Sequence, residues 1–246
     1  MKECQMDYLQ MLANKKSFSR TELFNAMEKC KLELSESSLK ANLQKLLNNG
    51  QIVRVGRNAY CVADDNIQNY EYEYSTLAQQ VAGVVKEKHP CLDFNIMELV
   101  QFNEFINHQL AHNVIFVAVE EDLGDFVFDT LKEKYPGKVL INPSAEIYHT
   151  YWCDDMIVIT KMVSEAPLGK VEKWNARIEK TLVDLLSDDL LRSSIATSEY
   201  PTIYEDAFAK YAIDESCLFR YAKRRGAYEK IKQFIIEKTN VKLRLG

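Results

Sequence analysis

The chain has 246 residues, 47% of them hydrophobic, enough apolar material for one large folded unit or two ordinary ones and too much for a disordered chain. The net charge is −5, but residues 1–62 hold ten Lys/Arg against six Asp/Glu, a net of +4, so a small basic module precedes an acidic remainder and is the part that polyanions would be drawn to. No run of 18 apolar residues and no apolar leader core occurs, which sets the expectation of a cytoplasmic protein without a membrane span or secretion signal.

Residues 4–14 space Met6, Leu9, Met11 and Leu12 as a helix. Ser19 is the expected N-cap of a second helix carrying Leu23, Phe24 and Met27 on one side. Ser35 is that of a third, in which Leu39, Leu43, Leu46 and Leu47 form one stripe. Gly50 suits the left-handed position just past that helix. Gln51–Val55 and Ala59–Val62 then alternate as a hairpin turning at Gly56, Arg57 and Asn58. Three helices and a hairpin predict a winged helix-turn-helix over residues 1–66, closed by the polar stretch 64–69.

The outward face of the third helix shows Ser37, Ser38, Lys40, Ala41, Gln44, Lys45 and Asn48, with no carboxylate after Glu36. Small side chains near its start permit close approach to a groove. Gln44 can pair with an adenine edge, and Lys40 and Lys45 can reach phosphates or guanine. Arg57 at the turn, with Arg54 and Asn58, could enter a minor groove or clamp the backbone. The competing reading is a solvated helical surface, or a winged helix used only for protein contacts.

Residues 67–246 read as a second unit. Tyr74–Lys88 is an expected helix with Leu77, Val81, Val84 and Val85 inward. Asn113–Glu120 is a near-continuous apolar strand, followed by a helix at 125–135 and strands at 138–143 and 155–161. The loop 164–169 separates this α/β part, 67–165, from a helical part, 170–246. The expected fold class is therefore α+β: an N-terminal winged helix followed by a mixed α/β domain with a helical C-terminal part.

Other patterns carry weaker chemistry. Glu104, His108 and His112, at four-residue intervals, could line one face of a helix and hold a metal, although a polar helix surface explains them equally well. Asp93, Glu120, Glu121 and Asp122 resemble a nuclease carboxylate set for Mg²⁺ but lack a lysine at the short spacing such sites favour, so acids crowning a strand end or capping the helix at Asp125 are the preferred reading. Arg220, Lys223, Arg224 and Arg225 could meet phosphate or an acidic partner, or pair internally with acids such as Asp184, Asp188 and Asp189. The six cysteines, never closer than 26 residues, read as reduced, mostly buried thiols, and no cofactor or metal is expected.

The segments "LLNNGQIVRVGRNAY", "NEFINHQ", "VIFVAVEEDLGDFVFDTL", "VLINPS", "SEAP", "IEKTLVDLLSD" and "YAIDESCLFRYAKRR" resemble, in that order, the AbiEi family of type IV toxin–antitoxin antitoxins. The resemblance implies a winged helix that binds an inverted repeat in its own promoter through Lys40, Gln44, Lys45, Arg54 and Arg57. It also implies a C-terminal region that counteracts a nucleotidyltransferase-like toxin, and no catalysis; separately, a monomer or weak dimer is expected. A metal-dependent nuclease and a ligand-responsive transcriptional regulator stay open as alternatives.

Overall fold

The computed structural model describes residues 3–30, 35–63 and 67–244, with the side chains of residues 3–7, Glu36 and Glu121 outside the description. The expectations for Cys4, Met6 and the stretch 64–66 therefore lie outside it. The architecture is mixed α and β.

The first helices are α1 (Glu3–Ala13), α2 (Arg20–Lys29) and α3 (Glu36–Asn48). Ser19 caps α2 in a reciprocal box: its hydroxyl accepts from the Glu22 N–H while the Glu22 carboxylate accepts from the Ser19 N–H. Ser35 caps α3 by accepting from the Ser38 N–H. Gly50, at φ +65°, occupies the left-handed position that ends α3. The stripe Leu39, Leu43 and Leu46 closes a core with Tyr8, Leu12, Leu23 and Met27, whereas Met11 faces solvent. β1 (Ile52–Gly56) and β2 (Ala59–Val62) pair antiparallel, and Phe18 adds a bridge to Tyr60.

The body is built on a four-stranded sheet of order β3-β4-β6-β5, comprising β3 (Phe94–Glu98), β4 (Val114–Val119), β5 (Val139–Ile141) and β6 (Met156–Lys161). β4, β6 and β5 are parallel to one another, and β3 is antiparallel to β4. Both faces of the sheet are covered, which is why β4 reads as unbroken apolar sequence. Val114 and Phe116 belong to one core, Ile115, Val117 and Val119 to the other. The second core is closed by α4 (Thr76–Lys88) and α5 (Gly124–Lys134). The first is closed by α6 (Ala145–Thr150), α7 (Ile178–Ser187), α8 (Asp189–Ser194), α9 (Tyr200–Lys210), α10 (Glu215–Arg224) and α11 (Tyr228–Lys238).

The outer edge of β3 is not left open. The Ile96 N–H donates to the Trp174 carbonyl at 2.7 Å, and the Tyr74 hydroxyl, its phenol pushed up to about 12 by burial, donates to the Ile96 carbonyl. The stretch around Trp174 and Asn175 forms this cover, with Leu168 bridged to Ala176, so the helical part expected from residue 170 has its first helix at Ile178. Among the described residues no helix is long and apolar enough to cross a membrane.

Candidate nucleic-acid interface

The burial of the leucine stripe forces the opposite face of α3 outward. Ser37, Lys40, Ala41, Gln44, Lys45 and Asn48 are all exposed, and Ser38 is half-buried. The hydroxyls of Ser37 and Ser38 lie 3.0 and 2.8 Å from Ser35 Oγ, so both belong to the cap as well as to the surface. Gln44 Nε2 donates to Asn48 Oδ1 at 2.8 Å, which leaves the second N–H and the carbonyl of Gln44 for a base edge. From Ser37 to Asn48 this face carries two lysines and no acid.

The hairpin divides the remaining expected contacts. Asn58 sits at φ +55° at the turn, and its Oδ1 accepts from the Arg20 N–H at 3.1 Å, tying the tip to the start of α2. The Arg57 side chain is exposed, while its backbone N–H donates to Ser216 Oγ on α10 at 3.1 Å. Arg54 turns toward the body instead: Nε donates to the Gly56 carbonyl at 3.1 Å and lies 4.0 Å from Asp214 Oδ2. Val53, Val55, Ala59 and Cys61 are buried in an apolar cluster with Ala63, Ile67 and Ala212, and burial pushes the Cys61 thiol up. The helix face and the turn are thus open, and one face of the hairpin is docked.

The basic cluster is mostly committed to internal pairs. Arg224 bonds Glu165, with Arg220 Nε 3.4 Å from the same carboxylate, and Glu165 takes a left-handed backbone, φ +60°, to receive them. Arg225 is removed from the surface set. Its guanidinium is largely buried, 3.3 Å from both Asp184 and Asp188, because α7 brings those acids under α10. Asp189 pairs with Arg192 instead, and Lys223 is exposed.

The helix that Glu104, His108 and His112 could have lined does not form. Residues 99–104 make a 3₁₀ turn, and Asn103 then closes a loop by accepting from the Leu110 N–H at 2.7 Å and donating to its carbonyl at 3.0 Å. The three side chains diverge: Glu104 to Tyr211, His108 to Glu199 at 2.9 Å, His112 to Asp154 at 3.6 Å. Asp93 lies 3.8 Å from Lys173, and Glu120 borders a cavity of about 150 Å³ at the ends of the parallel strands. Among the described residues no group of three His, Cys, Asp or Glu side chains is placed to hold a metal ion. Of the thiols, Cys61 and Cys217 are buried, Cys30 and Cys153 half-buried and Cys91 exposed, fewer buried than expected.

Sequence reasoning missed a cavity of about 540 Å³ lined by Tyr70, Tyr72, Arg177, Glu179 and Ala212. Arg177 is held by Glu179 at 2.8 Å, and Ala212 is shared with the docked hairpin. Its walls come from segments a hundred residues apart, so no local pattern announces it.

The sequence matches a family of unknown function, DUF6577, over residues 38–241. No curated protein matches it. Among solved structures, the crystal structure of the RV2827C protein from Mycobacterium tuberculosis is similar over 98% of this chain and 83% of that one, at 11% identity and a TM-score of 0.34, too distant a likeness to carry an argument.

Proposed function

We propose that this chain, which belongs to the DUF6577 family, is a DNA-binding transcriptional autorepressor of the antitoxin type, with a winged helix over residues 1–66 that grips a promoter inverted repeat. The body, residues 67–246, is the protein-contact unit, and its partner is the nucleotidyltransferase-like toxin that the AbiEi resemblance implies. In this reading the chain catalyses no reaction. The observation that supports it best is the α3 surface: Leu39, Leu43 and Leu46 buried in the core, and an outer face from Ser37 to Asn48 without a carboxylate, with Lys40, Gln44 and Lys45 exposed.

Physically, Ser37 and Ala41 let the start of α3 approach the groove floor, Gln44 reads a base edge, and Lys40 and Lys45 displace counterions from phosphates. Two half-sites require two copies of the helix, so a monomer or weak dimer is brought to order on the duplex. Arg57 at the exposed turn supplies a backbone contact. Arg54, held toward Asp214, is reassigned from the duplex to the junction with the body.

The test is binding of the full chain to its own promoter fragment, followed by fluorescence anisotropy between about 50 and 200 mM salt. Log affinity should fall linearly with log salt. Lys45→Ala and Arg57→Ala should each flatten the slope by about 1, and Arg54→Ala should leave it unchanged. A slope indifferent to both Lys40→Ala and Lys45→Ala would remove α3 from the interface.

The 540 Å³ cavity supports a second reading, a ligand-responsive regulator, because its wall residue Ala212 also touches the hairpin. A metabolite that raises the melting temperature and shifts promoter affinity together would favour it.

A further inference from the structure

We propose that the groove between the 105–113 loop and α6 is a docking site for a basic protein partner, which seats an apolar anchor against Trp152. The groove encloses about 430 Å³ and is lined by Leu110, His112, Tyr148, His149, Trp152 and Ser194. Ile147, Tyr151 and Trp152 are 46%, 65% and 39% exposed, so three of the large apolar side chains that the described surface leaves in water fall within six residues. Trp and Tyr are the side chains that most often anchor protein interfaces, and a cluster of them beside a concavity is unlike scattered surface apolar residues. The His112 ring meets the Trp152 ring edge-on at 5.1 Å and fixes the indole at the groove wall.

The sign of the surroundings selects the partner. Residues 99–113 and 139–160, which supply most of the wall and rim, contain Glu104, Glu146, Asp154 and Asp155 and no Lys or Arg. Of the cations nearby, Arg192 pairs with Asp189 at 3.1 Å, while Lys138 keeps its charge, its Nζ donating to the backbone carbonyl of Asp154 at 3.4 Å, and is outnumbered by Glu146, Asp154 and Asp155. A nucleic acid or an anionic lipid surface would meet acid here. A second copy bound about a two-fold axis would bring this patch, with its acids, against its own equivalent. A protein carrying Lys or Arg around an apolar anchor meets opposite charge at the rim and apolar rings at the centre. This surface belongs to the body alone, so it stands or falls separately from DNA binding by α3.

Trp152 provides the readout, since the other tryptophan, Trp174, is buried. The full chain is titrated with three synthetic peptides of about five helical turns: an amphipathic Lys/Leu helix, its Glu/Leu counterpart, and a Lys/Ser peptide without anchors. The Lys/Leu peptide alone should blue-shift the emission, a response kept in Trp174→Phe and lost in Trp152→Phe. Ile147→Ala with Tyr151→Ala should weaken its binding about tenfold or more. Phe126→Ala, an exposed apolar residue of α5, should leave it unchanged, as should promoter DNA. Binding of the Glu/Leu peptide with equal affinity, or silence with all three, overturns the proposal. So does a dimer in sedimentation that Tyr151→Ala dissolves, which would give the groove to a second copy. Far-ultraviolet circular dichroism of each variant confirms that it is folded before its result is counted.

Discussion

Asn95 lies in the middle of β3, 1% exposed, and among the described residues neither its amide oxygen nor its nitrogen has a hydrogen-bond partner. Its chain neighbours Phe94 and Ile96 pack under α4 and α5, and the alternation of the strand sends Asn95 to the face shared with Met97 and Phe116. An unpaired buried amide costs about 1–3 kcal/mol. Asn95→Leu is therefore expected to stabilise the chain by about 1 kcal/mol and raise Tm by about 2–4 °C in calorimetry. A lower Tm would show that the amide is hydrogen-bonded in solution. Glu22 shows the opposite economy. Lys15 Nζ, the Ser19 N–H and the Ser19 hydroxyl hold its carboxyl well below the usual range, at about 2. Because this folded value lies below the ordinary 4.5, the stabilisation is complete above about pH 4.5 and is lost as pH falls toward 2. Glu22→Gln should be less stable than wild type in urea at neutral pH, and the gap should close on acidification; the side chain is 44% exposed, so the gap stays below about 1 kcal/mol. A gap that persists unchanged near pH 2 would separate it from this carboxylate.

At the scale of elements, the strongest tie is between α7 and α10. α7 is buried along almost its whole length, including Lys180 and Asp184, which pair at 2.6 Å. The Tyr221 hydroxyl donates to Asp184 Oδ1 at 3.0 Å, its phenol pushed far up by burial and then by that carboxylate, and Arg225 Nε lies 3.3 Å from the same oxygen. The segments "IEKTLVDLL" and "FRYAKRRG" are one interlocked network. Asp184→Ala leaves two buried cations sharing no acid between them and should cost about 3–5 kcal/mol in urea unfolding. Adding Arg225→Met to that variant should recover part of the loss, and strict additivity of the two changes would mean that the groups act apart. Elements encoded by neighbouring residues were legible: the serine caps, the Gly50 stop and the leucine stripe each follow from a few positions. β3 was not, because "FNIME" has no clean period when both faces are buried and its identity comes from pairing with β4. The short helix α6 escaped for the same lack of length. The possible helix at 104–112 gave way to a loop: the histidines had helical spacing, but Asn103 bonds Leu110 across the loop and Glu199, far along the chain, holds His108. Likewise the exposed face of α3 could be read from periodicity, whereas the turn of Arg54 toward Asp214 depends on a residue 160 positions away.

At the scale of the whole molecule, the hairpin does not stand clear of the body. The apolar face of β1 and β2 meets Ala212, the Arg57 N–H reaches Ser216, and Gln68 is paired on both its N–H and its carbonyl to Lys210 and Ala212. The chain also returns to this place at its other end, where the Arg244 N–H donates to the Glu215 carboxylate. Three distant segments therefore converge on the start of α10, so the N-terminal helices and the sheet-based body should melt as one cooperative unit. Ala212→Glu inserts an unpaired carboxylate into that contact, near Asp214, without touching the α3 core or the central sheet. Calorimetry of this variant should resolve two transitions where wild type shows one, the lower belonging to the unit with the smaller core. If α3 grips a duplex, the variant should keep the salt slope of wild type, because no phosphate contact is lost, while its affinity falls by the freedom the hairpin has gained. A single transition at the wild-type temperature would mean that the contact at Ala212 contributes nothing to holding the two units together.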